Sequence, residues 1–427
     1  MSLFRYFLPI LIFVGVFVGT GAYLSYQGVP DAYYQLPPVS ALMPAVICAW
    51  LLHRGSSAER MHDFLEGMRH RDIITMCVIF LLAGAFSTVT QEIGSVKATV
   101  NAALALVPPP FILTGIFLVT GFIATAIGTS MGAVATIAPV AVGLSDQVGL
   151  SPALMCGTVV GGAMFGDNLS LISDTTIAAV MSQEADMRAK LILNIKVACV
   201  AGVVTILYLV FQVKEVAVVH HESFSWWLIS PYIVLIGLAL WGVHVFSSVA
   251  ISIIWAGILG LLWQPDFTLI RMAQCVQSGF LSMAPILLLS LLVGGLSGLV
   301  GSKMVAETTK KLTHSLARYQ CGRRTAAGLI AASAGVLDIL LANNTVAIIL
   351  SGEMARSIAA QFKIPKHVSA AWLDISSCVF QGIIPYGGQI LLASSMAHVS
   401  PLELVPYVFY CFALLLAMVI FIVRNKD

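Results

Sequence analysis

The chain is short of charge. Only 10% of its 427 residues are Asp, Glu, Lys or Arg, and a formal net charge of +2 leaves no basic stripe on which a nucleic acid would be held. Its eight cysteines, at positions 48, 77, 156, 199, 275, 321, 378 and 411, form no C-x-x-C pair and have no histidine spacing suited to zinc. They lie mostly in apolar runs and read as small buried hydrophobes. Low-complexity tracts and heptad arrays are missing too, and no hydrophilic loop is long enough to fold alone. These absences exclude a nucleic-acid partner, a zinc centre and a separate soluble domain.

Apolar sequence is what the chain has in excess. It is 59% hydrophobic with a mean hydropathy of +0.95, where ordinary soluble domains are roughly 45–50% apolar. An integral membrane protein is expected, with the lipid bilayer as its solvent. The opening run MSLFRYFLPILIFVGVFVGTGAY carries Arg5 but exceeds a signal-peptide core and has no A-x-A cleavage site, so it reads as a first span.

Hydrophobic runs of span length lie near 6–26, 38–53, 72–90, 109–127 and 189–212, and again near 225–243, 246–263, 281–300, 325–341 and 402–424. Between the fourth and fifth of each set come a shorter apolar piece, 130–147 or 344–361, and a long interrupted one, 151–182 or 368–397. Segments 91–107 and 302–320 read as a pair of interfacial helices or re-entrant hairpins. Lys and Arg concentrate at Arg54, Arg60, Arg69 and Arg71, at Arg188 and Lys190, and at Lys303, Lys310, Lys311, Arg318, Arg323 and Arg324. Positive charge marks cytoplasmic loops. The loop 27–37, with Asp31 and no Lys or Arg, then lies outside, both termini lie inside, and spans 72–90 and 281–300 run in opposite directions.

Faint echoes support that inversion. LLAGAFS at 81–87 resembles LLVGGLS at 291–297, an offset of 210; Gly128-Thr129-Ser130 faces Ala342-Asn343-Asn344 at 214; and FGDNLSLISDTTIAAVM, from Phe165, faces FQGIIPYGGQILLASSM, from Phe380, at 215. Inverted repeats with interrupted helices at matching positions mark secondary transporters that bind their cargo at mid-membrane. The expected fold is an all-α polytopic membrane protein of two inverted-topology repeats, residues 1–212 and 213–427, with discontinuous transmembrane helices.

The interrupted segments carry the chemistry. A carboxylate at bilayer depth is costly unless paired, hydrated or ion-bound, yet Asp167, Asn168, Ser170, Ser173, Asp174 and Thr175 fall inside an apolar run. Gly166 is expected to end one half-helix, and Ser173 or Asp174 to cap the next. In the second repeat Pro385, Gly387 and Gly388 break the run, with Gln381 before the break and Gln389 opposite Asp174. The shorter breaks add Thr129 and Ser130 on one side and Asn343, Asn344 and Thr345 on the other, with Asp338 about a turn and a half ahead. Asp374, on the half-helix leading to Pro385, is a candidate for a proton site or a salt bridge. Such oxygens suit hard cations such as sodium, for which Asp167 and Asp174 are the candidate ligands, and a proton can compete for the same carboxylate. Competition with alternating access yields antiport. Glu92, Glu353 and Arg356 are expected near span ends, His244 in a turn, and His220 and His221 in an outer loop. Trp226, Trp227, Trp241 and Trp263 fit an aromatic belt.

GGAMFGDNLSLISDTTIAA (Gly161 to Ala179), GTSMG (Gly128 to Gly132), NNTVAIILSGEM (Asn343 to Met354) and WLDISSCVFQGIIPYG (Trp372 to Gly387) resemble the NhaC-type sodium/proton antiporters of the ion transporter superfamily. The resemblance covers most of 72–400. It implies a secondary active transporter rather than an enzyme, sodium and protons as partners with no further cofactor, a homodimer in the cell membrane, and an ion or substrate site at Asp167, Ser170, Ser173, Asp174, Thr175, Asn343, Asn344 and Asp374. Many members carry a basic residue where Asn168 stands, a proline at Leu171 and a tryptophan at Tyr386; losing the basic residue removes a fixed cation beside Asp167. The family also includes malate/lactate exchangers and amino-acid transporters, so a coupled carrier of an amino acid or small organic acid is the alternative. An intramembrane aspartyl protease, a remote third, needs a GxGD motif that the sequence lacks.

Overall fold

The computed structural model describes residues 4–29, 35–106, 108–171, 173–212, 225–241, 243–318 and 322–424, and among them every regular element is helical. That is what lipid demands, because a helix satisfies its own backbone donors and acceptors where no water can. The first half contains α1 (Phe4–Tyr26), α2 (Pro38–Leu52), α3 (Ser57–Met68), α4 (Arg71–Glu92), α5 (Ser95–Leu106), α6 (Ile112–Ile127), α7 (Ser130–Val148), α8 (Pro152–Leu169), α9 (Asp174–Gln183) and α10 (Met187–Gln212). The second contains α11 (Trp226–Leu240), α12 (Val245–Trp263), α13 (Leu269–Arg318), α14 (Arg323–Leu341), α15 (Asn344–Gln361), α16 (Lys366–Gln381), α17 (Gly388–Ala397), α18 (Pro401–Leu404) and α19 (Phe409–Arg424).

The internal repeat is written in the helix boundaries. Helices begin at Ser130 and Asn344, Pro152 and Lys366, Asp174 and Gly388, and Met187 and Pro401, each pair 214 residues apart. The left-handed residues obey the same spacing: Gly128 and Ala342 (φ 76° and 50°), Gly149 and Lys363 (69° and 55°), Glu184 and His398 (49° and 51°). Positive φ is uncommon outside glycine, so these pairings record a shared backbone path where sequence identity has faded. The register corrects the expected offset of 215 across the interrupted segments. At 214, Gln389 stands opposite Thr175 rather than Asp174, and Gln381 stands opposite Asp167. Packing is reciprocal: α9 lies on α15 and α16, and α17 lies on α7 and α8. A two-fold relation generates that exchange. The protein is an integral membrane bundle of two inverted-topology repeats with discontinuous helices.

Several expected boundaries move. Among the described residues five helices are long and apolar enough to cross a bilayer, namely Ile73–Glu92, Met187–Gln212, Phe246–Trp263, Leu269–Val300 and Arg323–Leu341, or six if the bent pair Pro401–Tyr407 and Phe409–Arg424 is one span; the others expected as spans include shorter apolar helices such as Pro38–Leu52. The run 402–424 is bent: α18 and a 3₁₀ turn at Val405–Tyr407 meet α19 at 53°, where Pro406 withholds an amide from the ladder. Residues 281–300 and 302–318 belong to one 50-residue helix, α13, whereas α4 and α5 are separated at Gly94 (φ 76°). Residues 54–71 are no plain loop. Ser56 Oγ accepts from the Glu59 amide at 3.2 Å and Glu59 Oε2 from the Ser56 amide at 2.7 Å, a capping box that starts α3, and α3 packs on the glycines of α13. Gly166 does not end α8; a Cβ there would strike the Gly121 carbonyl, so this glycine lets α8 lie close to α6. Asp31, His220 and His221 lie outside the described residues. Trp226, Trp227, Trp241 and Trp263 are all exposed, Trp227 stacking on Trp263 at 5.8 Å.

Candidate functional site

The first discontinuous helix stops at Leu169 and restarts at Asp174. Asp167, in the last turn before the stop, is 2% exposed and accepts from Ser173 Oγ at 2.7 Å, Thr175 Oγ1 at 3.5 Å and Cys378 Sγ at 3.5 Å. Ser173 occupies the N-cap position of α9 but makes no capping bond. Its hydroxyl turns to the carboxylate instead. Asp174, the first residue of α9, is exposed, where a helix N-terminus favours an anion. Ser170 Oγ donates to the Thr125 carbonyl at 3.0 Å, and that carbonyl belongs to the last turn of α6.

The second break repeats the plan with neutral groups. Gln381, equivalent to Asp167, donates through Nε2 to Gln389 Oε1 at 2.9 Å, just as Thr175 reaches back to Asp167. Tyr386 Oη donates to the Ile339 carbonyl at 2.5 Å, and residue 339 is the 214-residue counterpart of Thr125. In both repeats a hydroxyl from the break therefore satisfies the same orphan carbonyl of a helix end. Gln389 Nε2 then crosses to Ser130 Oγ at 3.0 Å, joining the halves.

These groups surround one cavity of about 520 Å³. Of the residues expected from sequence, Asp167, Ser173, Asp174, Thr175, Thr129, Ser130, Asn343, Asn344, Thr345, Gln381 and Gln389 line it. The starts of α7, α9, α15 and α17 all reach this wall. Asn343 is spent partly on structure, capping α15 by accepting from the Val346 amide at 3.0 Å. Arg71, Thr75, Met76 and His244 also line it, with apolar side chains such as Ile79 and Met131; Arg71 and His244 are exposed, and His244 Nδ1 also accepts from the Phe246 amide at the start of α12. Asn168, Ser170, Asp338 and Asp374 are buried behind the wall. The Asp338 carboxylate faces the Gln381 backbone and accepts from no side chain among the described residues.

Asp374 is half of a second polar centre. Lys190, expected among the cytoplasmic positive charges, is fully buried and donates from Nζ to Asp374 Oδ2 at 2.5 Å and to Thr176 Oγ1 at 2.7 Å. Asn194 Nδ2 donates to the same Oδ2 at 2.7 Å. The nearby sequence did hold a signal for this: Lys190, Asn194, Val197, Ala201 and Thr205 share the buried stripe of α10 at helical spacing, while Arg188 and Lys196 face outward. At the bundle surface Glu184 pairs with Arg356 at 3.0 Å and Lys366 at 2.9 Å, Arg356 also donates to the Ser182 carbonyl, and Glu92 pairs with Arg271 at 2.7 Å. These ion pairs sit at helix ends. Lys366 and Arg356 hold the Glu184 carboxyl below its ordinary range, the Lys366 hydrogen bond contributing most.

The Na+/H+ antiporter family profile matches this sequence twice, over residues 40–213 and 212–426. The chain belongs to the Na+/H+ antiporter family. Among curated relatives, the Na(+)/H(+) antiporter NhaC of Bacillus subtilis is 22% identical over 408 residues, 88% of each chain. The Na(+)/H(+) antiporter NhaC of Alkalihalophilus pseudofirmus is 22% identical over 371 residues, 78% of this chain and 79% of its own. The Malate-2H(+)/Na(+)-lactate antiporter of Bacillus subtilis is 22% identical over 361 residues, 75% of this chain and 74% of its own. The double match falls on the two halves that the 214-residue register relates.

Proposed function

We propose that the protein is a secondary active transporter, not an enzyme, and that it exchanges sodium for protons by alternating access through the cavity between its two broken helices. One observation carries this proposal: Asp167 is a buried carboxylate on the cavity wall whose hydrogen-bond donors, Ser173, Thr175 and Cys378, are all neutral. Three neutral donors do not cancel its charge. A buried carboxylate requires a proton or a cation to offset that charge, and one carboxylate cannot take both at once. The Ser173 and Thr175 oxygens beside it are hard donors suited to sodium. Binding one ion thus expels the other, and Asp174 at the rim offers the incoming cation a first carboxylate.

The cavity lining includes Arg71, which belongs with Arg54, Arg60 and Arg69 in the most basic short loop of the first half. By the positive-inside rule this rim faces the cytoplasm and both termini lie there. Residues 1–212 and 213–427 are the two rocking halves, a division supported by the paired profile matches.

Purified protein in proteoliposomes with an internal pH indicator tests the proposal. Sodium added outside should drive proton movement, and Asp167→Asn should abolish it while leaving membrane insertion and yield unchanged. Malate, lactate or an amino acid moving without sodium-dependent proton flux would overturn it.

A further inference from the structure

Lys190, Asp374, Asn194, Asn168 and Thr176 are all 0% exposed. One amide ties them together: Asn194 Nδ2 donates to Asp374 Oδ2 at 2.7 Å and to the Asn168 carbonyl at 3.3 Å. Facing two acceptors, this must be the nitrogen, which fixes Oδ1 as the other end of the amide. Asn168 is fixed in the same way, its Nδ2 donating to the Met164 carbonyl at 2.9 Å. The three remaining oxygens, Asn168 Oδ1, Asn194 Oδ1 and Asp374 Oδ1, accept no hydrogen bond among the described residues. Buried acceptors are rarely left this way. The centre thus has more hard oxygens than donors and holds a single positive charge, which is covalently attached to α10.

We propose that the Lys190 ammonium is a tethered cation plugging a latent sodium-type site made by Asp374, Thr176 Oγ1 and the Asn194 and Asn168 amide oxygens, and that it thereby limits how many free cations the carrier takes. An ammonium and a sodium ion are both compact, hard cations that satisfy oxygen lone pairs. The ammonium already contacts two oxygens of this set. Asp167 lies close enough to feel both Lys190 and Asp374 electrostatically, so a second free cation here would sit beside the exchanging carboxylate. Lys190 prevents that by filling the place with a charge that cannot leave. The proposal borrows from the exchange reading only the identity of the ion.

The test removes the plug. In full-length protein, Lys190→Met should bind one more sodium ion per chain than wild type in equilibrium binding with radioactive sodium, and sodium chloride should raise its unfolding temperature, relative to choline chloride, by more than it raises that of wild type. The double variant Lys190→Met/Asp374→Asn should return both readings to the wild-type level. A Lys190→Met protein that is recovered in sodium but lost in choline also supports the site, because only a free cation can then balance Asp374. Wild-type ion number and wild-type sodium shift in Lys190→Met would overturn it, as would equal loss of the variant in both salts. If wild type moves no sodium the exchange reading fails, while the comparison between variants still decides this one.

Discussion

Ser173 Oγ donates to Asp167 Oδ1 at 2.7 Å across the gap where the first discontinuous helix loses its backbone continuity. A serine at an N-cap normally bonds an amide of its own helix, but α9 begins without that bond. The hydroxyl is diverted to the carboxylate and offers it a neighbouring ligand oxygen. Ser173→Ala should raise the sodium concentration for half-maximal proton flux about tenfold, since a hydrogen bond to a charged group contributes about 1.5–3 kcal/mol and 1.4 kcal/mol is a factor of ten. Folding stability should fall as well, by about 1–3 kcal/mol, because a buried carboxylate loses a donor; sodium titration of flux with parallel thermal unfolding measures both.

Asp338 presents the opposite situation, a fully buried carboxylate faced by the Gln381 backbone and by no side-chain donor among the described residues. Removing a poorly satisfied buried polar group is neutral or stabilising, with about 1–3 kcal/mol of desolvation recovered. Asp338→Leu should therefore unfold at the wild-type temperature or higher. It lies on α14 near the break at Asn343, and if it contacts the ion, flux should fall even as stability holds. A drop in unfolding temperature would show that Asp338 is structural.

The Glu184 pairs with Lys366 and Arg356 tie the end of α9 to the other half at the surface. Because the folded-state carboxyl titrates below the ordinary Glu value of about 4.3, its contribution is fully present above that value and is lost as pH falls through the lower folded one. The unfolding temperatures of wild type and Glu184→Gln should differ by a constant amount from about pH 8 to pH 5 and converge below about pH 4. A difference that shrinks between pH 8 and pH 5 would assign the effect to another group.

Where the first repeat places Gly149 in the left-handed region, the second places Lys363, at φ 55°. Its successor closes the helix end, the Ile364 amide donating to the Ala359 carbonyl at 2.8 Å, which is the bond pattern that favours glycine at residue 363. Lys363→Gly should stabilise the protein by about 1 kcal/mol, the cost of a left-handed non-glycine residue. Thermal unfolding checks the sign, and a lowered midpoint would mean that the lysine side chain contributes more than its backbone costs.

Both breaks were legible in sequence for physical reasons. Asp167 to Thr175 put polar atoms where lipid forbids them, and Pro385, Gly387 and Gly388 remove the donors and restraint that a helix needs. Their shared cavity followed from pairing the halves. Gly166 misled because a glycine that permits close helix packing and one that ends a helix look alike in sequence. Lys190 was missed because its neighbours are charged, so a count of basic residues merged it with Arg188; only its helical phase with Asn194 sets it apart. The 214-residue register was off by one across the interrupted segments because three identities in seventeen positions constrain it weakly, whereas left-handed residues constrain it strongly.

Ser170 and Tyr386 each fasten a break to a carbonyl within their own half, at residues 125 and 339. Each break is accordingly anchored to its own half by one hydroxyl, while the helix that follows it, α9 or α17, lies on the other half. Polar contacts between the halves include Gln389 to Ser130, Gln183 to Ser369, Cys378 to Asp167, Glu184 to Arg356 and Lys366, and Lys190 and Asn194 to Asp374. Both interrupted segments are therefore held from two sides, and they couple the halves rather than riding with one of them.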